Sequence, residues 1–243
     1  AFSTTGGSAF TDSSTIAAGS WSMFGLKSAG DASGITVSGV TQTGALDIDA
    51  VTYDGRRLTV TSQDSDPRGV RFNNDGSKMF VAGHQNNEIF EYNLSSGAPV
   101  NGTPYQVNTA TYQNNSYPLG GSITGVLDVT FNNDGSKMYV ASNSPSPSRV
   151  YEFNLSTPFS LASGNVSDSG NTLSLTNQSG TGAVHGICFN NDGTKFYIAS
   201  DSSYVHESAL TTAFNMSTGS YVRSFNANSQ VSDISGVNFN KDG

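Results

Sequence analysis

Four near-copies of one short motif restrict this chain to a repeat architecture. Val70–Gly83 reads VRFNNDGSKMFVAG, Val129–Ser142 reads VTFNNDGSKMYVAS and Ile187–Ser200 reads ICFNNDGTKFYIAS, and a fourth copy opens as VNFNKDG at Val237. The turn aspartates Asp75, Asp134, Asp192 and Asp242 stand 59, 58 and 50 residues apart. Periods of this size belong to propellers and arrays, in which one supersecondary unit cannot bury its apolar face without its neighbours. Each copy predicts a β-hairpin, because Asp-Gly between apolar runs is a strong turn signal. The glycines Gly76, Gly135, Gly193 and Gly243 accept positive φ with no Cβ to clash.

The second strand of each hairpin, Met79–Ala82 and its copies, is apolar or small at every position. A strand without alternation must be covered on both faces, as in a blade held between blades. A third strand is read over Ile89–Leu94 and Val150–Leu155, and more loosely over Thr211–Met216. Polar-alternating strands are read ahead of the hairpins at Leu58–Gln63, Gln106–Tyr112, Thr172–Gln178 and Tyr221–Asn226. Four strands per unit is the make-up of a propeller blade. The fold class expected is therefore all-β, a propeller-like array of four-stranded units with Asn-Asn-Asp-Gly hairpins, incomplete within this chain. Ser62–Asp66 returns as Ser229–Asp233 ahead of the fourth hairpin, so three units and the start of a fourth are expected over residues 58–243. Residues 1–57, rich in Gly, Ser and Thr, read as a separate β or anchoring segment with strands at Trp21–Leu26, Ile35–Val40 and Leu46–Tyr53.

Composition narrows the partners. Charged residues make up 12% of the chain and the net charge is −8, the wrong sign for neutralising phosphates, so nucleic acid is not an expected partner. Apolar runs are a few residues long, far short of the roughly 20 that span a bilayer. The single cysteine, Cys188, excludes an intrachain disulfide and leaves the compartment open. A chain starting at Ala1 is read as a leader-processed protein or a fragment.

The combination Ser-Gln-Asp-x-x-Pro-x-Gly-Val-x-Phe-Asn-Asn-Asp-Gly-Ser-Lys-Met-Phe-Val, followed by Glu-x-x-Glu-Tyr-Asn-Leu-Ser, resembles the propeller-type repeats of marine phage structural and fibre proteins. It is similar, more distantly, to bacterial surface YVTN-type propellers. The resemblance covers Leu58–Gly243 and implies a fold. It implies a function only weakly, because the matching residues are those of hairpins and cores.

Few side chains read as chemistry. An Asn-Asn-Asp-Gly loop lacks the spread of oxygen ligands and the closing Glu of a calcium loop, so Asp75, Gly76, Asp134, Gly135, Asp192, Gly193, Asp242 and Gly243 are assigned to structural turns, with Lys78, Lys137 and Lys195 solvated beside them. His84, His185 and His206 lack the spacing of a metal site. Glu91 and Glu152 recur in register, as structural residues do, whereas a catalytic pair belongs to one site. Cys188 is expected to pack between units. No catalytic residue, metal or cofactor is expected. Tyr105, Tyr112, Tyr117 and Tyr204 are assigned to variable loops, where aromatic rings stack on sugars. Seven Asn-x-Ser/Thr sequons, at Asn93, Asn101, Asn114, Asn154, Asn165, Asn177 and Asn215, reflect a chain crowded with those residues.

These readings lead to a non-enzymatic, extracellular display protein of a virus particle, fibre- or tail-associated, with a host-binding role. Its expected partners are other copies of itself, other particle or surface proteins, and host-surface glycans. The alternatives are a secreted or surface-attached bacterial adhesin or filament subunit, and an enzyme on a propeller scaffold such as a lactonase. The strand Gly236–Asn240 would carry an open edge, covered either by a longer polypeptide or by strands from residues 1–57 of the same or another copy.

Overall fold

The structure, a computed structural model, describes residues 2–3, 9–10, 55–94, 106–174 and 182–239. The chain divides into two compact units, Ala1–Asp54 and Gly55–Gly243. The described part of the first is a pair of short antiparallel strands, β1 (Phe2–Ser3) and β2 (Ala9–Phe10). The strands read over 21–26, 35–40 and 46–53 lie outside the described residues, as do Tyr105, Asp242 and Gly243.

The second unit is all-β, and no α-helix occurs among its described residues. Three four-stranded antiparallel sheets follow one another along the chain, each an up-and-down meander. The first blade holds β3 (Pro67–Phe72), β4 (Lys78–Gly83), β5 (Glu88–Leu94) and β6 (Ala110–Pro118). The second holds β7 (Thr124–Phe131), β8 (Lys137–Ser144), β9 (Arg149–Leu155) and β10 (Val166–Ser174). The third holds β11 (Val184–Phe189), β12 (Lys195–Ser200), β13 (Tyr204–Leu210) and β14 (Gly219–Asn226). The opening strands β3, β7 and β11 are neighbours in space. They form the inner edge of a propeller-like array, with β6, β10 and β14 outermost.

The hairpin turns form as their sequence dictates. Asn73 Oδ1 accepts from the Lys78 backbone N–H at 2.9 Å, Asp75 Oδ1 accepts from that of Ser77 at 2.9 Å, and Gly76 takes φ +69°. The same bonds recur around Asp134 and Asp192. Hydrogen bonds to the charged form hold all three aspartates below the ordinary carboxylate value. The second Asn of each turn reaches the next turn: Asn74 Nδ2 donates to Asn133 O, and Asn133 Nδ2 to Asn191 O, both at 2.6 Å.

The middle strands β4, β8 and β12 are buried over nearly all their length, and the core lies between blades rather than within one. Phe80 of the first blade meets Phe131 of the second at 4.5 Å between ring centroids, and Tyr139 of the second meets Phe189 of the third at 4.6 Å. Tilted aromatic pairs of this kind add about 0.5–1.5 kcal/mol to their area burial.

The structure moves several elements from where the residues alone place them. The polar strands are the outer strands of the blade before each hairpin, not a first strand of the blade that follows. They run over 110–118, 166–174 and 219–226, while Leu58–Gln63 forms no strand and ends in a turn at 61–63. The third strand of the last blade is Tyr204–Leu210, and Thr211–Met216 is the loop after it. Residues 236–239 form no strand, yet they lie against the third blade, with Phe239 on Tyr197 at 4.5 Å.

Candidate functional site

Polar side chains in this array fall into those that recur with every blade and those that occur once. The recurring set begins with the turn lysines. Lys78 Nζ donates to Glu91 Oε1 at 2.7 Å and to Phe159 O of the next blade at 2.7 Å, while Glu91 Oε2 accepts from the Leu161 N–H at 2.6 Å. Lys137 and Glu152 do the same to the third blade. Their own contact is 2.8 Å, Lys137 Nζ lies 3.0 Å from Phe214 O, and Glu152 Oε2 lies 2.9 Å from the Met216 nitrogen. These lysines are thus half-buried clasps between blades, not solvated turn residues.

Glu91 and Glu152 are buried in that role, and Glu207 is the third member of the column. Sequence reading passed over Glu207 because YVHESAL resembles EIFEYNL poorly and because the separation from lysine to glutamate drifts, 13 residues in the first blade and 15 in the second. The signal that could have revealed it is the ion pair itself, one Lys and one Glu per unit.

The residues that occur once gather on the inner strands. Every inner strand carries a bulge, at Arg68, Leu127 and His185, each unmatched in the ladder to its partner strand. Bulges re-aim side chains and are frequent beside active sites. The next column reads Gly69, Asp128, Gly186 and Gly236. Glycine is required there by close approach: a Cβ on Gly69 would lie 2.8 Å from Asp128 Cα, and one on Gly186 would lie 2.6 Å from Gly236 Cα. Asp128 is the one side chain in that column.

Arg71 ties this region together. Its Nε donates to Val129 O at 3.2 Å, its Nη2 donates to Ile187 O at 3.1 Å, and Nη2 stands 3.6 Å from Asp128 Oδ2. One guanidinium therefore spans the inner strands of the second and third blades. Asp128 Oδ2 accepts from Ile187 N–H at 2.9 Å and Oδ1 from its neighbour Val129 at 2.8 Å. Burial pushes the Asp128 carboxyl up, against the pull of Arg71 and the two backbone donors. Cys188 is buried in the strand position of Arg71, and desolvation pushes its thiol up to about 12, which suppresses the nucleophilic thiolate. His84 Nδ1 lies 2.9 Å from Val126 O. His206 is fully buried and stacked on Tyr204. Among the described residues, no three His, Cys, Asp or Glu converge as a metal site would need.

Of the tyrosines assigned to loops, the three among the described residues lie in strands. Tyr112 and Tyr117 are in β6, Tyr112 against Phe90 and Tyr92, and Tyr117 edge-on to Phe153. Tyr204 opens β13. Their alternation along polar stretches imitates loop composition, but each ring fills a strand face.

No family model and no curated protein matches the sequence. Among solved structures, the chain is similar to a functionally unknown protein from Desulfotomaculum acetoxidans, with 17% identity, 66% of this chain and 42% of that one covered, and TM-score 0.45. It is similar to a candidate 6-phosphogluconolactonase from Bacteroides fragilis, with 12% identity, 66% and 39% covered, and TM-score 0.44. It is also similar to the periplasmic gluconolactonase of Pseudomonas aeruginosa, with 16% identity, 66% and 39% covered, and TM-score 0.45. The chain spans about two fifths of the length of these proteins. The likeness is one of fold; against the expectations of a non-enzymatic protein and of a virion display role, two of these structures are named as lactonases, and those expectations are set aside. No helix among the described residues is long and apolar enough to cross a membrane.

Proposed function

We propose that this chain is part of a propeller hydrolase acting on a small cyclic ester, with its site where the inner strands of the three blades meet. The observation that carries the reading is the break in the repeat at that edge. A carboxyl, Asp128, stands in a column of glycines, beside an arginine whose column otherwise holds Thr130, Cys188 and Asn238. Groups that hold blades together recur with every blade, whereas groups that do chemistry are needed once. A buried carboxyl shifted by desolvation next to a fixed charge is the physical signature of such a group.

The division of labour follows from the geometry. A carboxyl lifted by burial is suited to take a proton from an attacking water. Arg71, held by two backbone carbonyls, is a preorganised positive charge for the oxygen that turns negative as water adds to the ester carbonyl. The side chains of Arg71 and Asp128 are 22% and 9% exposed, which restricts the ligand to a small one. An extracytoplasmic setting belongs to the same proposal.

Lactone hydrolysis is the first reaction to assay. Base uptake by gluconolactone should exceed the spontaneous rate in the presence of the protein, and Asp128→Asn should remove about 100-fold of the enhancement. A rate at the spontaneous level with gluconolactone and other sugar-acid lactones would overturn the reading.

A further inference from the structure

Asp128 is held along its own strand from both directions. Beyond it, Arg71 takes the Val129 carbonyl. Ahead of it lies the bulge at Leu127, unmatched in the ladder to β8. A bulge lets the strand bend, so the direction of the next side chain depends on what fixes the backbone before it. Two backbone groups there are taken by one loop of the preceding blade. The Gly125 N–H donates to Asn87 Oδ1 at 2.6 Å, and His84 Nδ1 donates to Val126 O at 2.9 Å. A carbonyl can only accept, so Nδ1 is the nitrogen that carries hydrogen.

That loop, between β4 and β5, is fastened by a buried carboxyl group the mechanism has not used. Asp64 is 1% exposed and accepts from the Asn86 N–H at 2.9 Å and the Asp66 N–H at 2.7 Å. Asn86 Nδ2 donates to Gln63 O at 2.6 Å, and the His84 N–H donates to Asp66 O at 3.1 Å. A Cβ on Gly83 would lie 2.5 Å from Asp64 Oδ2, so the glycine makes room for the carboxyl. Asn87 takes φ +57°, a left-handed backbone that asparagine tolerates well. The arrangement is not part of the repeat. In the second blade the position of His84 holds Asn143, whose amide lies against Gly125 of its own blade, 1.9 Å from where a Cβ would be. Where Ser62–Asp66 returns as Ser229–Asp233, Val231 stands in place of Asp64.

We infer that His84 and Asn87 are positioning residues for Asp128. They fix the backbone ahead of the bulge, and through it the direction of the carboxyl, with Asp64 as the anchor of their loop. The inference rests on the reading of Asp128 as the group that takes the proton from water, and it extends that site to residues acting through Asp128 from the neighbouring blade.

The test uses the full chain with His84→Ala, His84→Asn and Asn87→Gly. Asparagine offers an N–H near the place of Nδ1, and glycine keeps the left-handed backbone while removing the acceptor. With gluconolactone, kcat per folded molecule should fall about tenfold in His84→Ala and in Asn87→Gly while KM stays within about twofold, because a misdirected base acts on the chemical step. His84→Asn should recover most of the loss. The Asp128 carboxyl, followed by carbon NMR and assigned by its absence from Asp128→Asn, should titrate closer to the ordinary 3.8 in His84→Ala and Asn87→Gly, since a loosened β7 lets water reach it. Asn87→Gly changes no charge, and Arg71 and Cys188, the ionisable groups that interact with Asp128, are intact in all three variants. Parent kcat in His84→Ala and Asn87→Gly, or His84→Asn no better than His84→Ala, would overturn the inference. If the parent chain turns over no lactone, the hydrolase reading fails by itself and the titration decides: an Asp128 curve unchanged in His84→Ala and Asn87→Gly would overturn the positioning role as well.

Discussion

Glu152→Ala is the substitution that weighs most on the array. The side chain is buried and holds three partners: Lys137 Nζ at 2.8 Å, Asn171 Nδ2 at 3.2 Å and the Met216 backbone N–H at 2.9 Å. Its loss strands a buried N–H and an ammonium whose side chain is 27% exposed. Removing one partner of a buried pair costs about 3–5 kcal/mol, and partial access of water to Lys137 puts this case near about 3 kcal/mol. Glu207→Ala removes the same residue of the repeat where both its cationic partners are 43% and 69% exposed. There the loss should stay within about 1 kcal/mol. For a unit of this size each kcal/mol moves the melting temperature by about 2–4 °C, so calorimetry should find a drop of about 6–12 °C for Glu152→Ala and under about 4 °C for Glu207→Ala. Equal shifts for the two variants would refute the view that the clasp stabilises by joining one blade to the next.

Further expectations can be checked on the same instrument. Gly135→Val should lower the melting temperature more than Ser136→Val, since Gly135 takes φ +72° with the Phe159 ring against it, and equal losses would contradict the turn geometry. Asp75, Asp134 and Asp192 have folded values below the ordinary 3.8, held there by hydrogen bonds from Ser77, Ser136 and Thr194. Their contribution is therefore complete above about pH 3.8 and is lost as pH falls through the lower folded values. A stability profile at acid pH should be flatter in Asp134→Asn than in the parent chain. A chelator should leave the melting temperature unchanged, because the turn oxygens are taken by their own backbone; a fall reversed by calcium would show instead that the loops bind the ion.

The fold was legible because its information is local. Asn-Asn-Asp-Gly specifies a turn by side-chain to backbone bonds spanning two to five residues, and an all-apolar strand such as Met79–Ala82 announces cover on both faces. The clasps were hidden because they are long-range. Nothing near Lys78 in the chain names Phe159, 81 residues away, as its acceptor. Tyr112 and Tyr117 misled for the opposite reason: their neighbours are polar enough to read as loop, and only pairing with β5 turns the segment into a strand. Asp128 was present in the aligned copies as a departure from glycine, but its meaning depends on the approach of β3 to β7, which no single repeat contains. Arg71 likewise gains its place only when the second and third blades are both beside it.

The central claim is that residues repeated with each blade hold the array together while residues placed once at the inner strands act on a ligand. Lactone turnover per folded molecule, measured side by side for the parent chain, Asp128→Asn and Glu152→Gln, tests it most directly. The account predicts that Asp128→Asn loses about 100-fold in rate per folded molecule, while Glu152→Gln melts earlier yet keeps the parent rate in its folded fraction. Turnover that tracks the folded fraction alone in both variants would contradict it.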